Sequence, residues 1–224
     1  MKKDLPFNPI EVDILNSETP QHKVYLDDYW IYKTEVTVAQ YRKFCQATTR
    51  DRQMPPEPSW GWQENHPVVN VTWGDAAAYA QWAGAALPTE AQWEKAARGS
   101  DGRIYPWGND WDGAKCVNSV GGNRPRGTKP VGSLPTGASP YGCLDMAGNV
   151  WEWCADWYDA GYYKTAPTRN PPGPATFTAK VLRGGSLGFF TPVYYRATFR
   201  YRDFPAFFGD LFNGFRCVWR SPGQ

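Results

Sequence analysis

The side chains best placed for chemistry lie in Asp145-Met146-Ala147-Gly148-Asn149-Val150-Trp151-Glu152-Trp153-Cys154-Ala155-Asp156. Asp145 and Glu152 bracket a Gly-containing turn, and Asp156 follows Glu152 by four residues. A hard cation such as calcium takes carboxylate and carbonyl oxygens together. A tight turn with an acid at each end supplies both. The same acids equally suit a role as hydrogen-bonded structural groups, and the residues leave the two readings open. Other chemistries lack their parts. Cys45, Cys116, Cys143, Cys154 and Cys217 form no C-x-x-C pair, which argues for buried, reduced thiols rather than zinc or a disulfide framework. His22 and His66, the 2 histidines, stand far apart and read as structural, which leaves a Ser-His-Asp triad with little support. No phosphate-cradling G-x-x-x-x-G-K-[ST] and no dinucleotide-binding G-x-G-x-x-G occurs.

The elements that must position these groups are short. With 22 Gly and 20 Pro, the chain is rich in turns, and 12 Trp and 13 Tyr supply large rings to hold them. Thr37-Val38-Ala39-Gln40 is a capping box that predicts a helix to about residue 47. A second helix is predicted over Gly74–Gly84, and a third opens at the box Thr89-Glu90-Ala91-Gln92 and runs to about Arg98. Val24, Leu26 and Tyr29 to Ile31 predict a strand pair broken at Asp27-Asp28. Extended segments follow at His66 to Val71 and Val181-Leu182, and Cys217-Val218-Trp219 reads as a closing strand. The fold class is α+β, with an N-terminal arm over 1–20 and a single domain over 21–224. Length is sufficient for a sizeable core. A net charge of +2 and pI near 8.2 are too mild for a nucleic-acid partner. No run of about 18 apolar residues occurs, so membrane insertion is not expected. The basic start Met1-Lys2-Lys3 has no apolar segment behind it. No signal peptide is read, and the default location is cytoplasmic, with display on a surface or virion by another route left open.

The segment 187–213 is different in kind. It holds Leu187, Gly188, Phe189, Phe190, Val193, Tyr194, Tyr195, Phe199, Tyr201, Phe204, Phe207, Phe208, Asp210, Leu211 and Phe212. Its rings follow neither helical spacing nor strict alternation. It contains no Trp, Met, Gln, Lys or Glu. Codons with any base at the first two positions and a pyrimidine at the third encode every amino acid except those five. The window therefore reads as randomised at many codons, and its rings as a ligand-binding surface, because rigid aromatic groups give contact area at low rotamer cost. About half of the rings are expected to be exposed.

From about His22 to Trp219 the chain resembles the formylglycine-generating-enzyme (sulfatase-modifying factor) family. The resemblance is carried by Glu35-Val36-Thr37, His66-Pro67-Val68, Leu87-Pro88-Thr89-Glu90-Ala91-Gln92-Trp93-Glu94, Tyr105-Pro106-Trp107-Gly108, Asp145 to Trp153, Arg183-Gly184-Gly185-Ser186 and Gly214-Phe215-Arg216-Cys217. It implies a C-type lectin-like fold with little regular structure. It also implies structural calcium at the matched turn, held by Asp145, the carbonyls of Gly148 and Val150, and Glu152. The family's enzymes carry two copper-binding cysteines just after the Gly-Gly-Ser turn and oxidise a substrate cysteine. Phe189 and Tyr194 stand at the matching positions, so neither copper nor enzymatic activity is expected. A better match within this fold is to the variable proteins of diversity-generating retroelements, which place their mutagenised segment between the Gly-Gly-Ser turn and Gly-Phe-Arg. That likeness implies an unidentified macromolecular ligand, most simply a protein.

Overall fold

The structure is a computed structural model that describes residues 12, 15–48, 53–122, 124–206 and 212–220. Helix α1 (Val38–Ala47) starts where the capping box places it. The Thr37 side chain accepts from the Gln40 amide, and the Gln40 side chain accepts from the Thr37 amide. Val38, Tyr41 and Phe44 form its buried stripe. Helix α2 (Trp73–Trp82) begins before the predicted Gly74, because Thr72 and Asp75 make a further capping box that the sequence reading passed over. Helix α3 (Glu90–Arg98) has the predicted Thr89–Gln92 box and ends at Gly99, φ +68°.

Strand β1 (Tyr29–Ile31) pairs antiparallel with β6 (Val218–Arg220) in a sheet of two. The strand expected around Val24 and Leu26 reduces to a single bridge between Tyr25 and Arg169. The main sheet has the order β4 (Tyr201–Asp203), β3 (Lys180–Arg183), β2 (Trp151–Trp157), β5 (Asn213–Gly214). β2 and β5 run parallel, with Glu152 opposite Gly214. Gly214 is required there by space: a Cβ would sit 2.8 Å from the Val68 carbonyl oxygen and 2.9 Å from Val150 Cγ2. The core gathers Trp151, Trp153, Phe215, Tyr41, Phe44 and Tyr79 between the helices and this sheet.

Three arginines are buried as completely as the tryptophans. Arg183 bonds Glu90, Glu94 and the Ala197 carbonyl. Arg200 bonds both Glu90 oxygens and the Ser17 and Asp159 carbonyls. Arg216 bonds both Glu152 oxygens and the carbonyls of Tyr32, Lys33 and Leu144. Such groups stay charged inside a protein only when paired and hydrogen-bonded, so these contacts fix how the irregular loops sit against the sheet. All five cysteines are free thiols. His66 Nδ1 lies 2.9 Å from Thr128 Oγ1, and the His22 ring packs edge-on against Tyr163.

Candidate ligand-binding face

The window leaves β3 through Arg183 and turns at Gly184 and Gly185. Gly185 has φ +77°, and a Cβ there would lie 2.7 Å from the Tyr194 carbonyl oxygen, so the turn tolerates only glycine. A 3₁₀ turn over Pro192–Tyr195 follows, then β4. The floor is Trp151 on β2, which is fully buried. Tyr201 stacks on it at 4.9 Å and Phe189 meets it edge-on at 5.3 Å. Phe189 and Tyr194 lie 4.4 Å apart, ring to ring. Phe212 closes over Gly188, whose missing side chain leaves room for that ring at 3.0 Å, and the Arg124 guanidinium lies 5.7 Å from the Phe212 ring centre. Phe189, Tyr194, Tyr201 and Phe212 are thus half-buried rings on a rigid aromatic base. Phe190 and Phe204 stand out from it, 54% and 63% exposed.

Four of the expected surface residues face inward. Leu187, Val193, Tyr195 and Phe199 are buried and belong to the frame. The Leu187 carbonyl accepts from the Ser119 hydroxyl. The Tyr195 hydroxyl is shared between the Ser186 and Phe189 carbonyls, and burial pushes its pKa up. Phe199 packs between Tyr194 and Trp151. Each holds the loop in place from beneath and offers nothing to a ligand above. Gly188 is half-buried beneath Phe212. Phe207, Phe208, Asp210 and Leu211 lie outside the described residues.

Sequence reasoning missed several supports. Ser17 and Glu18, assigned to the arm, grip the window: the Glu18 carboxylate accepts from Arg196 at 2.6 Å and Thr198 at 2.7 Å, and the Ser17 carbonyl accepts from Arg200. Burial raises the Glu18 pKa while Arg196 opposes the shift. Ser119 and Arg124 were also missed. No local pattern marks such contacts, which join residues 68 to 183 positions apart.

The turn expected to hold calcium is built differently. Both Glu152 oxygens are taken by Arg216, at 2.6 and 2.7 Å, and one also accepts from the Trp93 indole at 2.7 Å. Asp145 accepts from the Gly132 amide at 2.5 Å. Glu35 lies close by with one oxygen lacking a hydrogen-bond partner among the described residues; burial, reinforced by the charges of Asp145 and Glu152, raises its pKa. Among the described residues no three His, Cys, Asp or Glu side chains converge as a metal site. Both acids of the set Asp145, Gly148, Val150 and Glu152 are thus engaged by protein donors. A guanidinium holds the Glu152 carboxylate, and the Gly132 amide donates to Asp145.

Residues 6–221 match the sulfatase-modifying factor enzyme 1-like domain. The chain belongs to that family. It is 49% identical over 138 residues to a formylglycine-generating enzyme of Thermomonospora curvata, covering 55% of this chain and 45% of that protein. To the Mus musculus formylglycine-generating enzyme it is 38% identical over 143 residues, covering 58% and 38%. The chain thus spans less than half the length of these relatives. Among solved structures it superposes on PvdO from Pseudomonas aeruginosa with TM-score 0.77 at 26% identity, covering 91% of this chain and 85% of that one. It superposes on Treponema denticola variable protein 1 with TM-score 0.71 at 24% identity, covering 89% and 87%. The fold is C-type lectin-like, as the motifs implied. The expectation that the chain is not an enzyme is overturned by its likeness to proteins named as formylglycine-generating enzymes. Among the described residues no helix is long and apolar enough to cross a membrane.

Proposed function

We propose that the window forms the ligand-binding face of a variable protein of the kind made by diversity-generating retroelements, and that it takes a macromolecular, protein-like ligand. One observation carries this reading: within a segment of codon-restricted composition, Phe189, Phe190, Tyr194, Tyr201, Phe204 and Phe212 keep exposed surface, while Val193, Tyr195, Ala197, Phe199 and Arg200 among them are buried. Burying a ring of this size contributes about 1.5–3 kcal/mol, so three or four of them supply micromolar affinity when the base is preorganised. The buried Trp151, Phe199 and Tyr195 are that base. The test is a displayed library randomised at those six positions and selected against hen lysozyme. Folded members with micromolar affinity are the expected result. A library that loses its thermal transition, or that yields no binder, overturns the reading. A reverse transcriptase gene and a near-identical template repeat beside the gene are expected as well.

A second reading is favoured by the identity to formylglycine-generating enzymes. Phe189 and Tyr194 pack against a cluster that contains Cys116, whose thiol is pushed up to about 12 by burial. Incubation with copper and a cysteine-containing peptide tests it: aldehyde formation, lost in Cys116→Ser, supports an oxidase that works through that thiol.

A further inference from the structure

A groove of about 990 Å³ lies on another face, and none of its lining residues belongs to the window. Its floor is β1, and its walls include Tyr25, Trp30, Tyr141, Lys33 and Lys95. Among the described residues β1 has only one strand partner. The Tyr32 amide donates to the Cys217 carbonyl at 2.9 Å, and Trp30 lies opposite Trp219. In an antiparallel pair alternate residues point their backbone groups the other way, so the N–H and C=O of Tyr29 and Ile31 face away from β6. Among the described residues those groups have no hydrogen-bond partner. The next rung on this outer side is already made: the Leu144 amide donates to the Lys33 carbonyl at 2.7 Å. The chain then leaves the edge at Cys143 and Gly142, which line the groove beyond.

We infer that this groove is a docking site for an extended, acidic segment of another polypeptide, which continues the row begun by Leu144 and adds a strand to β1. Strand addition uses main-chain hydrogen bonds for affinity and flanking pockets for selectivity. The aromatic walls take the alternate side chains that point to one face. Charge selects the occupant. Asp27 is already paired with Arg169, which leaves Lys33 and Lys95 facing the groove against Asp28. A second copy of this chain would bring Lys33 and Lys95 against their own kind, and lysine at a short edge strand is how sheets resist self-pairing. A partner segment with carboxylates between its apolar residues meets both requirements.

The probe is the heptapeptide acetyl-VEVEVEV-amide, with the VKVKVKV peptide and a VEVEVEV peptide N-methylated at alternate amides as controls. Amide hydrogen exchange is read by NMR. In the free protein Tyr29 and Ile31 exchange faster than Trp30 and Tyr32. The Glu peptide slows Tyr29 and Ile31 at least tenfold, and the N-methylated peptide does not. The double variant Lys33→Glu, Lys95→Glu reverses the preference toward the Lys peptide. Absence of slowing at Tyr29 and Ile31 overturns the proposal, as does equal slowing by the N-methylated peptide. Slowing that rises with protein concentration and needs no peptide assigns the edge to a second copy and overturns it too.

Discussion

Two segments meet at Trp151 and are built on opposite terms. From Cys143 to Cys154 every residue is buried. From Val193 to Phe199 buried and half-buried residues alternate, Tyr194, Arg196 and Thr198 being the half-buried ones, the last two held by Glu18. In the first segment every side chain is answered from all directions, by Arg216, Trp93, Gly132 or the core, so its identity is fixed by its neighbours. In the second, every other position keeps part of its surface in solvent. The difference teaches that in this fold a polar framework, rather than the surface itself, holds the backbone.

The sharpest way to break that contrast is Arg216→Met. It strands the buried Glu152 carboxylate, and a loss of about 3–5 kcal/mol is expected in urea unfolding, enough to prevent folding in a marginal chain. Phe199→Ala and Phe204→Ala then set the buried and open halves of the window side by side. The first should cost about 3–5 kcal/mol and the second stay within about 0.5 kcal/mol; equal losses would erase the distinction. A third test concerns Asp156, whose pKa is raised to about 7 by burial and by the Glu90 charge. Its folded value exceeds its unfolded one, so the folded state holds the proton more tightly. Its contribution is complete below about pH 4 and is lost as pH rises through about 7. Asp156→Asn should remove that decline, of order 2–4 kcal/mol between pH 4 and 8, from chemical denaturation curves. The smallest effect is expected from calcium. With Glu152 held by Arg216, neither EDTA nor millimolar calcium should move the melting temperature, and a shift of several degrees would show that the ion displaces the guanidinium.

What could be read beforehand follows from the range of each interaction. The boxes at Thr37 and Thr89 join residues three apart, and both helices stand where the sequence puts them. Thr72 with Asp75 obeys the same rule and was simply not noticed. The contacts of Arg183 and Arg200 with Glu90 span 93 and 110 residues, and no local pattern announces them. Inside the window the alternation from Val193 to Phe199 was invisible because both sides carry rings: Tyr195 and Phe199 beneath, Tyr194 above. Hydrophobicity cannot sort such residues; only the frame does. The turn at Asp145 stayed open to two readings for a related reason, since a carboxylate suited to an ion is equally suited to an arginine that arrives 64 residues later.

Arg200 has a consequence for inheritance. Pinned to Glu90, Ser17 and Asp159, it nails the middle of the window to the body of the molecule. The described stretches on either side, 187–199 and 201–206, still meet across it, Phe189 lying 6.0 Å from Tyr201 ring to ring. Under the proposed reading a change in one stretch must be answered in the other, so the repertoire is smaller than the product of two short alphabets.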